Sequence, residues 1–426
     1  MIRSIFAATA LAPSLLFAQP VIPIRELLPP DATAADRFGN IFNVRQIANG
    51  RVLVNDGARH QLSLLDAKLA NRAIVLDSLS EGGQFYGTYR TPLIPYLGDS
   101  TFFPDMASKT LLLIDGAGKV ARAVAAPKAR DLPIYLFRSQ SGVDVRGNLI
   151  YRAQYARENQ IGEYLDVIPQ FSDSEPLVRA NFETRTVDTI ASVKIEPFNG
   201  YTASKDSAGN IMTDAAGRRI PTITSKPLNT IDEWSALSDG SIAIVRGHDY
   251  HVDIIQPDGK KISAPKLPFD FRRLTDEDKQ QLLDSAKAAE SKRRREVAAE
   301  PIRPRNIGGG RGAATGGGGG GLPPVVPFYE YQPASQMPDY YPPIRVGATK
   351  PDADGHLWIL PTTSARSLKG ELVYDVVNNR GAMIERVRMP VGRSVAGFGR
   401  GGIVYLMSQG SDKQWILERT HIANRN

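Results

Sequence analysis

A chain of 426 residues that is 42% hydrophobic and 23% charged can bury a large core, and its composition excludes a disordered protein. The absence of cysteine excludes a disulfide scaffold, a cysteine-ligated zinc site, a thiol nucleophile and a lipidated N-terminal Cys. The formal charge of +7 is a mild excess for this length, much of it in one insertion, and does not describe a surface for nucleic acid.

The N-terminus, MIRSIFAATALAPSLLFAQP, has the layout of a secretory signal peptide over residues 1–18. Arg3 supplies the positive end, residues 4–18 the apolar stretch, and Leu16-Phe17-Ala18 a small-residue cleavage site. The apolar run is too short to span a bilayer, Pro13 interrupts it, and no later segment approaches transmembrane length. The expectation is an exported chain without a membrane span, periplasmic or extracellular, with residues 19–426 forming one domain.

From residue 49 onward a unit recurs: a turn ending in Gly, an apolar strand, a short connection, a second apolar strand, then a turn rich in Asp, Asn and Gly. Its copies begin at NGRVLVNDGARHQLSLLDAKLAN (49–71), GDSTFFPDMASKTLLLIDGAGK (98–119) and RGNLIYRAQYAR (146–157), the third continuing at 175–186. The others are DGSIAIVRGHDYHVDIIQPDGKK (239–261), the stretch 354–382, and GGIVYLMSQGSDKQWILERTHI (401–422). Segments such as Ser241–Val245 and His356–Leu360 are short, apolar and rich in β-branched or aromatic residues, as strands buried on both faces require. Asp239-Gly240, Asp258-Gly259 and Asp354-Gly355 supply the positive φ of tight hairpins. Six such units predict an all-β protein: a six-bladed β-propeller of four-stranded antiparallel blades, its ring protecting the strand edges. The last copy stops after its third strand, so the stretch PVIPIREL (20–27) is predicted to complete the sixth blade.

In a blade with strands A to D from the axis outward, the A–B and C–D turns share one face and the B–C and D–A connections the other. The A–B and C–D turns are all minimal here. The long connections, 155–176, 198–227 and 269–343, all fall on the opposite face, which marks it as the working side. The largest insertion, between the fourth and fifth blades, is helical and Gly/Pro-rich. A helix is predicted over 275–299, capped by Thr275 with Asp276, Glu277 and Asp278 in its first turn, and its basic run 292–295 reads as a solvated end. GGGRGAATGGGGGG (308–321) reads as a flexible tether and lacks the context of a phosphate loop. Tyr329, Tyr331, Tyr340 and Tyr341 either pin the insertion to the ring or stack on a ligand.

Candidate chemistry is sparse. His248 and His251 flank a hairpin with Asp249 between them, but no third metal ligand is evident, and His356 is expected inside a buried strand. Arg45, Arg138, Arg345 and Arg393 fall on predicted innermost strands, the last three near the insertion-bearing mouth, where they would suit an anionic ligand or a peptide carboxylate. Asp232 and Glu233 precede Trp234 and are the acidic pair placed on an innermost strand. No G-x-S-x-G nucleophile is present. No cofactor and no bound metal are expected from these residues.

The segments DGSIAIVRGHDYHVDI (239–254), DADGHLWIL (352–360) and PDYYPPI (338–344) make the chain resemble bacterial exported six-bladed propellers of the NHL and TolB-like superfamily. The resemblance implies a binding or interaction module for an unknown protein or a small anionic ligand. Some members of that group are lactonases or lyases with a divalent cation in the channel, which leaves a metal-dependent hydrolase or lyase around Asp232 and Glu233 as an alternative. An envelope scaffold is a second. A monomer is expected.

Overall fold

Each recurring unit closes on itself as one antiparallel sheet, because its hairpin turns are too short to reach a neighbour. In the computed structural model, residues 22–78, 86, 91–105, 108, 110–128, 140–153, 173–196, 201–214, 217, 219–299, 328–367 and 370–423 are described. Residues 1–18, read above as a signal peptide, Arg138, most of the 155–176 connection and residues 308–321, read as a tether, lie outside them.

Six blades follow around the axis, each innermost strand first. Blade 1 comprises Ile41–Gln46, Val52–Asp56, Gln61–Leu65 and Arg72–Leu76. Blade 2 comprises Ile94–Pro95, Thr101–Asp105, Thr110–Ile114 and Val120–Ala125. Blade 3 comprises Ser141–Val143, Leu149–Arg152, Ser174–Ala180 and Val187–Lys194. Blade 4 comprises Glu233–Ala236, Ile242–Arg246, His251–Ile255 and Lys261–Ser263. Blade 5 comprises Thr349–Pro351, Leu357–Ile359, Val373–Val377 and Met383–Arg388. Blade 6 takes Ser394–Phe398, Ile403–Gln409 and Trp415–His421 from the C-terminus and its outer strand, Ala32–Thr33, from the N-terminus.

The core divides into six apolar clusters, one at each seam between neighbouring blades, including the seam between blades 6 and 1. Alternation along a strand feeds two seams at once. Leu357 and Ile359 pack toward blade 4 with Val245 and Val252, whereas Trp358 between them packs toward blade 6 with Val395 and Val404. Each such side chain, fully buried, contributes about 1.5–3 kcal/mol. The innermost strands press together where a residue lacks Cβ: a methyl at Gly142 would lie 2.3 Å from Ala236 Cβ, and one at Gly397 2.3 Å from the Val44 carbonyl oxygen. The tight turns are held by carboxylates. Asp144 accepts from the amides of Arg146 and Asn148, and Asp352 from those of Asp354 and His356.

The ring closes by an N-terminal strand, but not by the one expected. Ala32 and Thr33 pair with Arg419 and Glu418 to complete blade 6, and Arg419 also grips Asp31 at 2.8 Å. The segment within 20–27 instead runs one blade further back. Ile24–Glu26 lies parallel to Met383–Arg388 as a fifth, outermost strand of blade 5. Two ion pairs fix that register, Arg25–Glu385 at 2.9 Å and Arg388–Glu26 at 3.0 Å. Hydropathy alone could not separate an apolar strand that closes a ring from one that covers an edge.

The two insertions that flank blade 4 build a common cap. Tyr201–Ala203 and Pro221–Ser225 form a hairpin-like pair, and Phe328–Tyr331 adds parallel to the second of them. Helix α1, Asp276–Ala299, lies on this small sheet. Thr275 caps it reciprocally: Asp278 N–H donates to Thr275 Oγ1 at 3.1 Å and Thr275 N–H to Asp278 Oδ2 at 3.0 Å. The basic run is only partly solvated. Arg294 stacks on Phe328 at 3.8 Å and Arg293 on Tyr329 at 5.6 Å, while Glu290 holds both guanidinium groups. Tyr331 donates to the Ala286 carbonyl at 3.3 Å. Thus Tyr329 and Tyr331 join the insertion to itself.

Candidate binding site

A D–A connection delivers the chain to the start of an innermost strand, so the first residues of those strands ring the channel mouth on the insertion-bearing face. Glu233 is the first residue of its strand in blade 4 and only 2% exposed. Its Oε2 accepts from Gln140 Nε2, at the head of blade 3, and from Gly347 N–H, at the head of blade 5, the latter at 3.1 Å. Gln140 Nε2 also reaches Thr349 Oγ1 at 3.3 Å, and Ser235 Oγ lies 3.2 Å from the same hydroxyl. Three blades therefore meet on one carboxyl group. Burial pushes Glu233 up from 4.5 to about 7, more than the opposing hydrogen bonds from Gln140 and Gly347 and the charge of Arg152 pull it down. A side chain that is half protonated near neutrality can donate or accept at the mouth.

Asp232 does not join Glu233. Its Oδ2 takes Arg246 at 2.7 Å and the Lys194 amide at 3.0 Å, and its Oδ1 the Gly247 amide at 3.1 Å. The carboxylate ties blade 4 to the outer strand of blade 3 and points away from the channel. Adjacent residues on a strand point to opposite faces, and the acidic pair is split for that reason. Trp234 lies in the seam between blades 3 and 4, with its indole N–H buried and unpartnered among the described residues.

The arginines do not form one ring among the described residues. Arg393 turns outward to Glu418, at 2.6 and 3.0 Å. Arg45 is held by Thr101 Oγ1 at 2.5 Å and by the Gly98 and Ser100 carbonyls, and enclosure lowers it to about 10. Arg345 is exposed in the turn leading to the innermost strand of blade 5. Arg138 lies outside the described residues.

In the blade 4 hairpin His248 is exposed, and Asp249 bonds His251 Nδ1 at 2.6 Å. Asp253 Oδ1 lies 3.2 Å from the other ring nitrogen, so both nitrogens of His251 face carboxylates. Among the described residues no cluster of three metal-ligating side chains occurs. His356 stands before its strand rather than within it, bonded to Asp352 at 3.0 Å.

On the insertion-bearing face, a ladder of aromatic rings climbs from the seam of blades 4 and 5 to the surface. Tyr250 meets Phe269 at 5.4 Å, Phe269 meets Phe271 at 4.9 Å, and Phe271 meets Tyr340 at 6.5 Å. Its outer members are open, Phe271 at 56% and Tyr340 at 49% exposure. Tyr341, by contrast, is buried with Arg272 and Arg366 against its ring at 5.6 and 5.5 Å. Sequence reasoning passed over Gln140, Thr349, Gly347 and Phe271. A signal existed for one of them: Gln140 precedes Gly147 by the same interval as Glu233 precedes Gly240.

No family model matches the chain, and no curated protein does. Solved structures do. Virginiamycin B lyase from Staphylococcus aureus is 9% identical with a TM-score of 0.38, over 91% of this chain and 97% of that one. A Bacteroides fragilis protein is 12% identical with a TM-score of 0.42, over 93% and 94%. A gluconolactonase from Xanthomonas campestris is 9% identical with a TM-score of 0.36, over 95% and 99%.

Proposed function

We propose that this chain is an exported binding module of the NHL and TolB-like kind, monomeric, that takes its ligand at the channel mouth of the insertion-bearing face. The observation that carries the reading is the convergence of blades 3, 4 and 5 on the buried Glu233 carboxyl, on the face whose connections also carry the exposed rings of Phe271 and Tyr340. Convergent polar groups fixed by a rigid scaffold are what a small-ligand site requires. Residues 1–18 carry the export reading, and the repeat motifs carry the superfamily.

The enzyme alternative has one support, the Glu233 carboxyl titrating near neutrality, where a general acid or base is most effective. Such chemistry would run through Glu233 alone, since both oxygens of Asp232 are committed to blades 3 and 4. The test is a thermal-shift screen of uncharged polar and aromatic small molecules on the mature chain. Hits are expected to lose their shift in Glu233→Gln or in Phe271→Ala, and to keep it in Lys260→Ala on the opposite face. Hits indifferent to the first two substitutions would overturn the assignment.

A further inference from the structure

Two enclosed cations stand on innermost strands, and only one of them is satisfied. Arg45 of blade 1 spends its guanidinium on Gly98, Ser100 and Thr101 of blade 2. The ammonium of Lys350, the middle residue of Thr349–Pro351 in blade 5, has no hydrogen-bond or ion-pair partner among the described residues. Register shows where it lies. Lys350 pairs with Trp358 on the next strand, and cross-strand partners share a face of the sheet. The Trp358 ring packs toward blade 6, against Phe398 at 4.8 Å. Lys350 therefore projects on the blade 6 side, axis-ward of Trp358, while Thr349 serves the Glu233 cluster on the other side.

Charged groups near that space are already engaged. Glu233, from blade 4, meets the opposite face of this strand, Asp352 two residues on accepts from His356 and the Trp358 indole, Arg393 at the head of blade 6 is paired with Glu418, and the innermost strand of blade 6, SVAGF, carries no charge. Crowding by protein holds the Lys350 amine below the usual lysine value, yet the residue is not sealed from solvent. A cation so placed without a counter-ion costs stability, and an entering anion would offset that cost.

We infer that Lys350 anchors an anion site in the central channel, taking one carboxylate or phosphate group of a small molecule. The inference rests on the proposed binding reading only in placing the ligand in the channel, and it does not require Glu233.

The experiment uses the mature chain with sodium acetate or inorganic phosphate as probe, against sodium chloride at matched ionic strength. Reductive methylation of Lys350 is followed by peptide mass spectrometry, and thermal midpoints are recorded in parallel. Bound anion should protect the amine, slowing its methylation about elevenfold at ten times the Kd. Lys350→Met should abolish the anion-dependent rise in midpoint, Lys350→Arg should retain it, and Glu233→Gln should leave it unchanged. A response to either anion supports the site and tells which group it prefers. Methylation unaffected by both anions, or an equal rise in midpoint in Lys350→Met, would overturn it. If Lys350→Met does not fold, the labelling of the unaltered chain still decides. Loss of the response in Glu233→Gln would instead merge the two sites and refute their independence.

Discussion

Glu233 is the residue on which the blades converge, and its burial makes a pH signature. Folded, it titrates near 7; unfolded, it returns to about 4.5. Between those values the folded chain holds a proton that the unfolded chain releases, so folding stability falls as pH rises through that window. The shift corresponds to a loss of about 3 kcal/mol at most, complete above pH 7. Glu233→Gln removes the titration, and its thermal midpoint should decline less between pH 4.5 and 7 than that of the unaltered chain. Parallel pH profiles for the two proteins would show that Glu233 is not the group responsible.

At the scale of the strand, closure and close approach decide what each segment tolerates. Asp31 and Ala34 donate backbone hydrogen bonds to Arg419 and Leu417 on either side of the Ala32–Thr33 pairing. Removing residues up to 35 should cost about 2–4 kcal/mol in lost hydrogen bonds and burial. Removing only residues up to 28 strips the outer strand of blade 5 and should cost less. Denaturant midpoints of the two truncated chains check the order, and equal losses would show that the Ala32–Thr33 clasp adds nothing beyond the strand on blade 5. Gly397→Ala places a methyl against the backbone of Val44, which cannot yield as a side chain tip would. The innermost strands of blades 6 and 1 must then part, at a cost of about 1–3 kcal/mol by overpacking, readable as a lower midpoint. Ala at Gly209, where φ is +85 but the space is open, should show only backbone strain.

Across the whole molecule the ring and its cap have different claims on stability. Each seam of the ring is an apolar cluster continuous with blades on both sides. The cap rests on three short strands, with Leu283 and Lys279 the buried side chains among the described part of α1, Lys279 reaching Asp339 at 2.8 Å. Few buried apolar groups mean a low free energy of local opening. Amides of 201–203, 221–225 and α1 should exchange with solvent well before those of the second and third strands of the blades, with protection factors lower by about tenfold or more. Uniform exchange would show the cap to be part of the ring's cooperative unit.

Much of the architecture was legible because a propeller writes itself locally. Apolar strands, Asp-Gly turns and a repeat interval are short-range features, and Gly240, Gly355 and Gly402 mark them directly. The capped start of α1 at Thr275 was equally local. What the chain order could not show was which distant segments meet: the clasp at Ala32–Thr33, and the parallel pairing of Pro221–Ser225 with Phe328–Tyr331. The split of Asp232 from Glu233, the outward turn of Arg393 and the solitude of Lys350 also waited on tertiary packing. Composition and turn chemistry determined a ring of six blades with one elaborated face. Only the folded ring decided which charges are spent, because a charge is satisfied by neighbours in space, and those come from other strands and other blades.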